Sequence, residues 1–109
     1  MLGDTRKAEN ESYFRELNER LKHRPGQLRP GGRLEIVCEC SREECTVRLV
    51  VPVAQYEQVR ANPRAFLVAP GHGEPGVERV LAADGSYEIV EKQGEAGLVA
   101  VVENPRNGQ

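Results

Sequence analysis

The first part of the chain carries apolar residues at helical spacing. Phe14, Leu17 and Leu21 recur at intervals of three and four residues, and most positions between them are polar or charged. This pattern predicts an amphipathic helix. We place the helix at residues 1–24, because Pro25 and the glycine after it end a helix.

Beyond residue 33 the pattern changes to short runs rich in Val, Ile and Leu, which is typical of strands. Two runs, residues 34–40 and 46–51, flank a short polar segment and predict a hairpin. Pro52 then begins a short second helix, which Pro63 limits. Further strands are predicted at residues 66–69, 77–81, 87–92 and 98–103, with Asp84-Gly85 as a hairpin turn.

These elements predict an α+β fold, with one small and mainly antiparallel sheet of about five strands, an N-terminal helix and a short second helix. The 109 residues are enough for a single domain. Its parts follow the chain: an N-terminal helix at 1–24, a basic Gly/Pro loop at 25–33, an α+β body at 34–103, and a tail at 104–109 that we expect to fray.

Three cysteines lie within eight residues, at the tip of the predicted hairpin. Cys38 and Cys40 are two residues apart, so in a strand they face the same side, and Cys45 returns across a short turn. Three thiolates need one imidazole more to complete a Cys₃His zinc site. We favour His72, in a Pro-Gly-His-Gly turn, over His23, whose place at a helix end suits the helix dipole without a metal. The sequence therefore predicts a structural Zn²⁺ site that staples the body.

Two other interpretations of the cysteines stay open. They can be free cysteines packed as small hydrophobes, although the neighbouring Glu39 and Arg42 are not typical of a buried apolar strand. They can also form a thiol-based redox sensor, in which Cys45 closes a disulfide with one of the other two. Sensing and zinc binding can coexist, since a zinc-thiolate site can lose its metal on oxidation.

The net charge of −2 hides an uneven distribution. Residues 20–33 carry no acidic residue and five basic ones: Arg20, Lys22, Arg24, Arg29 and Arg33. Such a segment can contact nucleic acid, but no aromatic residue is interleaved to stack on bases. We therefore expect a protein partner, with nucleic acid as the lesser alternative.

The compartment is predicted from what the sequence lacks. The N-terminus has no apolar signal-peptide core, and no window approaches the roughly 18 apolar residues of a membrane span. An odd number of closely spaced cysteines does not suit a disulfide framework. These features favour the cytoplasm and argue against a membrane partner.

No catalytic motif appears in the sequence. Gly-x-Ser-x-Gly, the P-loop, the dinucleotide fingerprint and His-Glu-x-x-His are all missing. An enzyme would require His72 not to bind the metal, leaving three thiolates and a water, with Glu74 as acid or base. The sequence favours a non-catalytic interaction or regulatory module.

Four stretches, CECSREECT, YEQVRANPRAFLVAPGH, VERV and YEIVEK, resemble a group of short, functionally uncharacterised bacterial proteins of the kind abundant in high-GC Gram-positive genomes. The resemblance extends from about Phe14 to Arg106. It implies that a Cys-x-Cys, a third Cys and a Pro-Gly-His occur together, and these correspond to Cys38, Cys40, Cys45 and His72. It implies no particular activity.

Overall fold

The first helix, α1 (Leu2–Leu21), confirms the helix predicted at the start of the chain, but it packs through other residues than expected. The structure, a computed structural model, describes residues 2–42 and 44–106, with side chains described from residue 9 onward. In the predicted apolar stripe, Phe14 and Leu17 are only half-buried. Among residues 9–21 of α1, the buried side chains are mostly polar: Glu11, Ser12, Arg15, Asn18 and Leu21. The helix docks on the body mainly through hydrogen bonds and ion pairs.

The predicted hairpin forms the larger part of a three-stranded antiparallel sheet. Its strands β1 (Leu28–Arg29), β2 (Arg33–Val37) and β3 (Arg48–Pro52) lie in that order. Leu34 pairs with Val51 in the β2–β3 ladder, and both side chains are buried. This alternation sends one face of the hairpin into the core.

The second half of the chain forms another antiparallel sheet. After α2 (Val53–Arg60) come β4 (Ala65–Val68), β5 (Glu78–Ala83) and β6 (Glu88–Lys92), and the strand order is β4-β6-β5. The predicted turn joins β5 to β6 and contains Gly85 at φ +93°. The α+β class is confirmed, and so are the second helix and these strands.

The expected single sheet of about five strands is wrong, because the residues that the structure describes form two sheets of three strands each. Helix α2 begins directly after β3 and packs against β2, β3 and β4, so it separates the two sheets along the chain. Beyond the end of β2, Glu39 donates its N–H to the carbonyl of Leu67 in β4 at 2.8 Å. The sheets meet at this point without sharing a ladder among the described residues.

The strand predicted at residues 98–103 is also wrong, because this segment belongs to helix α3 (Gly94–Val102). Gly97 and Ala100 are buried, three residues apart, while Leu98 and Val102 on another side are exposed. A continuous apolar run does not distinguish a strand from a helix by its period. In the folded chain, this segment packs against α1 and β6 as a helix.

The end of the described chain is tied to two helices. Arg106 donates from Nε to Glu19 of α1 at 2.7 Å and from Nη2 to Glu57 of α2 at 3.1 Å. Residues 107–109 lie outside the described part, so the fraying expected there stays a prediction.

Across residues 2–42 and 44–106, we find no helix with both the length and the apolar character needed to cross a bilayer.

Candidate metal centre

Four possible metal ligands converge where the tip of the β2–β3 hairpin meets the turn after β4. One donor atom from each of Cys38, Cys40, Cys45 and His72 lies within 4.8 Å of the others. His72 Nδ1 is 3.6 Å from the sulfur of Cys38 and 3.6 Å from that of Cys45. The structure thus brings the four residues selected from the sequence close enough to bind one metal ion.

The spacing of Cys38 and Cys40 predicted that both lie in a strand, and this prediction is wrong. Strand β2 ends at Val37, and Cys38 and Cys40 lie in irregular backbone beyond it. The Cys38 N–H still donates to the Val47 carbonyl at 3.0 Å, and the Cys45 N–H closes a turn on the Arg42 carbonyl at 3.1 Å. These bonds fold the tip back so that all three sulfurs meet.

The fourth donor is positioned by a turn that needs glycine. Gly71 has φ +79°, a conformation that L side chains rarely adopt. The His72 N–H donates to the Ala69 carbonyl at 3.0 Å and closes the turn. In the same segment, the Ala69 N–H donates to the Cys38 sulfur at 3.1 Å. His23, by contrast, is exposed beyond the end of α1 and is not part of the cluster.

Glu39, the residue between the first two cysteines, is completely buried. Its carboxylate accepts four hydrogen bonds, from Nη1 and Nη2 of Arg60, Nδ2 of Asn18 and the N–H of Leu67. The charged neighbours, which are not typical of a buried apolar strand, therefore do not prevent the burial of Cys38 and Cys40. A buried carboxylate is tolerated because a cation and hydrogen bonds compensate it.

The thiols of the cluster differ in acidity. A hydrogen bond from the Cys38 thiol lowers the pKa of Cys40 to about 5. The same bond to Cys40, together with burial, raises the pKa of Cys38. Burial also raises the pKa of Cys45. The Cys40 thiolate is thus the easiest of the three to form, and a bound metal ion would displace the protons of the other two thiols.

Glu74, the acid or base of the enzyme alternative, lies close to the candidate metal centre. His72 lies among the sulfurs, so four possible donors converge there. The Glu74 carboxylate accepts a hydrogen bond from Ser41 Oγ at 2.9 Å. The backbone N–H of Glu74 donates to Glu78 Oε1 at 2.6 Å. Glu74 thus ties the histidine turn to the cysteine segment.

Sequence reasoning missed the residues that hold Glu39. Asn18 lies on the helical stripe formed by Phe14, Leu17 and Leu21, being four residues from the first and three from the last. A polar residue on an apolar stripe is a usable signal of a buried hydrogen bond. Arg60, near the end of an ordinary short helix, offers no comparable signal.

The chain was also compared with protein-family models, with curated proteins and with solved structures. None of these comparisons found a match.

Proposed function

We propose that the protein is a small, non-catalytic interaction or regulatory module built around a structural Cys₃His zinc site. The observation that carries the proposal is the convergence of four donor atoms within 4.8 Å. The ligands are Cys38, Cys40, Cys45 and His72.

The spacing of the donors supports a single tetrahedral ion. Zinc binds thiolate sulfur at about 2.3 Å and imidazole nitrogen at about 2.0–2.1 Å, so a tetrahedral angle separates the two donors by roughly 3.5–3.6 Å. The two sulfur-to-Nδ1 distances are both 3.6 Å. These distances support the imidazole as the fourth ligand of such an ion.

The donor types support zinc over other ions. Carboxylate and carbonyl oxygen suit magnesium and calcium, whereas thiolates combined with imidazole suit zinc or an iron–sulfur cluster. A two-iron cluster holds two ligands on each iron, so it needs a wider spread between ligand pairs than one ion does. Donors that all lie within 4.8 Å therefore favour one Zn²⁺.

The connectivity of the site supports a structural role. Four protein ligands close the coordination sphere and leave no open position for a substrate or an activated water. His72 is 34 residues from Cys38 and 27 from Cys45, so a bound ion joins the hairpin of the first sheet to the turn after β4. Metal binding at such a site contributes directly to folding free energy.

The ion pairs of the basic segment weigh against nucleic acid as the partner, which leaves a protein as the proposed partner. Its cations are partly neutralised by nearby carboxylates: Arg20 by Glu16, Lys22 by Glu19 and Glu57, and Arg29 by Glu35. Nucleic-acid binding depends on cations that are available to replace counterions on phosphates. Pairing within the chain reduces that supply.

Redox sensing through the same cysteines is the second candidate, and the unequal burial of the sulfurs favours it. Cys45 is half-buried, whereas Cys38 and Cys40 are buried, so an oxidant reaches Cys45 first. The site would then respond to conditions in a reducing cytoplasm. A sensor must lose metal and close a disulfide at oxidant doses that leave the remaining fold intact.

Cobalt substitution tests the zinc proposal through the ligands themselves. We expect Co²⁺ to give the strong visible bands of tetrahedral coordination together with a thiolate charge-transfer band. His72→Ala should weaken binding and alter the visible bands, while His23→Ala, the matched control, should leave both unchanged. Weak octahedral bands, or equal effects of the two histidine variants, would contradict the proposed ligand set.

A further inference from the structure

The segment that carries the first two cysteines is attached to helix α1 at each end of the segment. Asn18 donates from Nδ2 to the Val37 carbonyl at 2.9 Å and accepts the Val37 N–H on Oδ1 at 2.9 Å. Asn10, two turns earlier, donates from Nδ2 to the Ser41 carbonyl at 3.2 Å. Cys38 and Cys40 therefore lie between two points of attachment to the same helix.

The middle of this segment is attached to α1 as well. Asn18 Nδ2 also lies 2.7 Å from Oε2 of Glu39, the carboxylate oxygen that accepts from Arg60 Nη1 at 2.7 Å. Asn18 is fully buried, and so is Glu39. A backbone shift between the two cysteines that moved Glu39 would take its carboxylate away from the buried side chains of Asn18 and Arg60, which is costly in free energy.

The docking of α1 depends on this segment even though the helix makes other contacts. Among residues 9–21, the buried face of α1 is polar apart from Leu21: Glu11 pairs with Lys92, and Arg15 donates to the carbonyls of Pro63 and Ala100. Polar contacts of this kind depend on one alignment of the helix, whereas a broad apolar face tolerates small shifts. The alignment at Asn18 is set by Val37, the last residue of β2, and by Glu39, which lies between the two cysteines.

We propose that metal occupancy controls the docking of helix α1, with Glu39 and Asn18 as the positioning residues that connect the two. This inference rests on the metal site proposed above and adds a regulatory consequence to it. With the metal bound, the cysteine segment holds Glu39 where Asn18 and Arg60 reach it, and α1 stays docked. Without the metal the segment relaxes, and α1 loosens before the β4–β6 core does.

Linkage supplies the first test, because coupling between two events is reciprocal. If metal binding and the contacts of α1 with the cysteine segment stabilise each other, then removing those particular contacts must weaken metal binding. Asn18→Ala should raise the Kd for Zn²⁺, measured by competition with a chelator, roughly tenfold or more, in the range found when groups behind metal ligands are removed. Asn10→Ala, which removes one peripheral hydrogen bond, should raise it by roughly threefold and is the variant to rely on if Asn18→Ala does not fold.

Ser12→Ala is the matched control. Ser12 lies on the same buried face of α1 but donates to Glu103 at 3.1 Å, away from the cysteine segment. Its Kd for Zn²⁺ should stay within roughly twofold of the wild-type value, because the hydrogen bond that it loses is of similar strength but does not touch the cysteine segment. Equal Kd values in the Asn18, Asn10 and Ser12 variants would overturn the coupling.

Hydrogen exchange of the full chain supplies the second test, with the zinc content measured on the same samples. We expect chelation to speed exchange in residues 9–21 as well as at the hairpin tip, with much less effect on β4 and β6. Zinc bound, but α1 exchange unchanged by its removal, would overturn the coupling and leave the metal site standing. No zinc bound, together with α1 exchange that ignores added zinc, would overturn both.

Discussion

Glu39 and Arg60 form a buried bidentate ion pair behind the candidate metal centre. Nη1 lies 2.7 Å from Oε2 and Nη2 lies 2.9 Å from Oε1, and the two side chains are 0% and 1% exposed. The guanidinium also lies 5.2 Å from the centre of the Tyr56 ring. Since Glu39 separates two proposed ligands, the stability of this pair and that of the metal site depend on the same few residues.

Removing one partner of the pair should be strongly destabilising. Arg60→Met leaves the Glu39 carboxylate buried without its cation, which typically costs about 3–5 kcal/mol. Chemical denaturation with zinc present measures the loss. The double variant with Glu39→Gln should lose less than the sum of the two single variants, because the uncompensated charge is gone.

Arg79→Met is the control for this prediction. Its ion pair with Glu91 lies at the surface, with the arginine side chain 66% exposed, and its loss should change stability by about 1 kcal/mol or less. Similar losses in the Arg60 and Arg79 variants would show that the buried pair has no special importance.

Loss of a single ligand should remove the metal and destabilise the fold. Cys40→Ser replaces a thiolate with a hydroxyl that binds zinc poorly, so the free energy of metal binding no longer supports folding. Thermal unfolding and metal analysis should both respond. Arg24→Ala, at an exposed position, should stay within about 0.5 kcal/mol of wild type. An unchanged melting temperature in Cys40→Ser would refute the structural role of the site.

Glu11 should make the protein less stable as the pH rises. Burial raises the pKa of Glu11 from 4.5 to about 8. The charge of Lys92 acts to lower this pKa, whereas Glu78 raises it further. A carboxyl with a raised pKa in the folded state contributes stability below its unfolded pKa and loses it as the pH passes the folded value. From pH 5 to pH 8.5, wild type should lose stability relative to Glu11→Gln in zinc-saturated denaturation experiments. A difference that is constant across this range would contradict the prediction.

Glu19, on the same helix, should show the opposite dependence. Burial raises its pKa, but hydrogen bonds from Arg106 and Tyr56 outweigh that effect and lower the pKa of Glu19 from 4.5 to about 2. Its contribution is complete above pH 4.5 and disappears as the pH falls towards 2. Allowing for solvent screening, wild type should lose about 1 kcal/mol relative to Glu19→Gln between pH 5 and pH 2.

Glu16→Gln serves as the comparison for Glu19. Glu16 pairs with Arg20 at an exposed position of α1, with side chains 56% and 71% exposed. Its variant should follow the wild-type pH profile closely, because solvent screens such pairs. If Glu16→Gln and Glu19→Gln gave the same profile, the network around Arg106 would not explain the acid sensitivity.

Much of the fold could be predicted because local signals agreed with tertiary structure. Asp84-Gly85 placed the β5–β6 hairpin, and Pro52 and Pro63 bounded α2. Helix α3 was missed because a continuous apolar run has no period to interpret. The division into two sheets was missed because strand partners are chosen by long-range packing, which no local pattern records.

The candidate site shows the same division. Its donors could be selected from residue type and spacing, because few side chains bind zinc and three of them lie within eight residues. The residues that position the segment between the donors could not be selected in this way. Asn18 and Arg60 reach Glu39 from two different helices, each 21 residues away in sequence, and only the folded chain brings them together.

The most direct test of the account is the metal content of the purified, untagged protein, measured by elemental mass spectrometry together with a count of reactive thiols. We expect one zinc per chain, with the three thiols of Cys38, Cys40 and Cys45 reacting only after denaturation in chelator. No bound metal, with three thiols that react freely in the native protein, would contradict the zinc site and with it the proposed function.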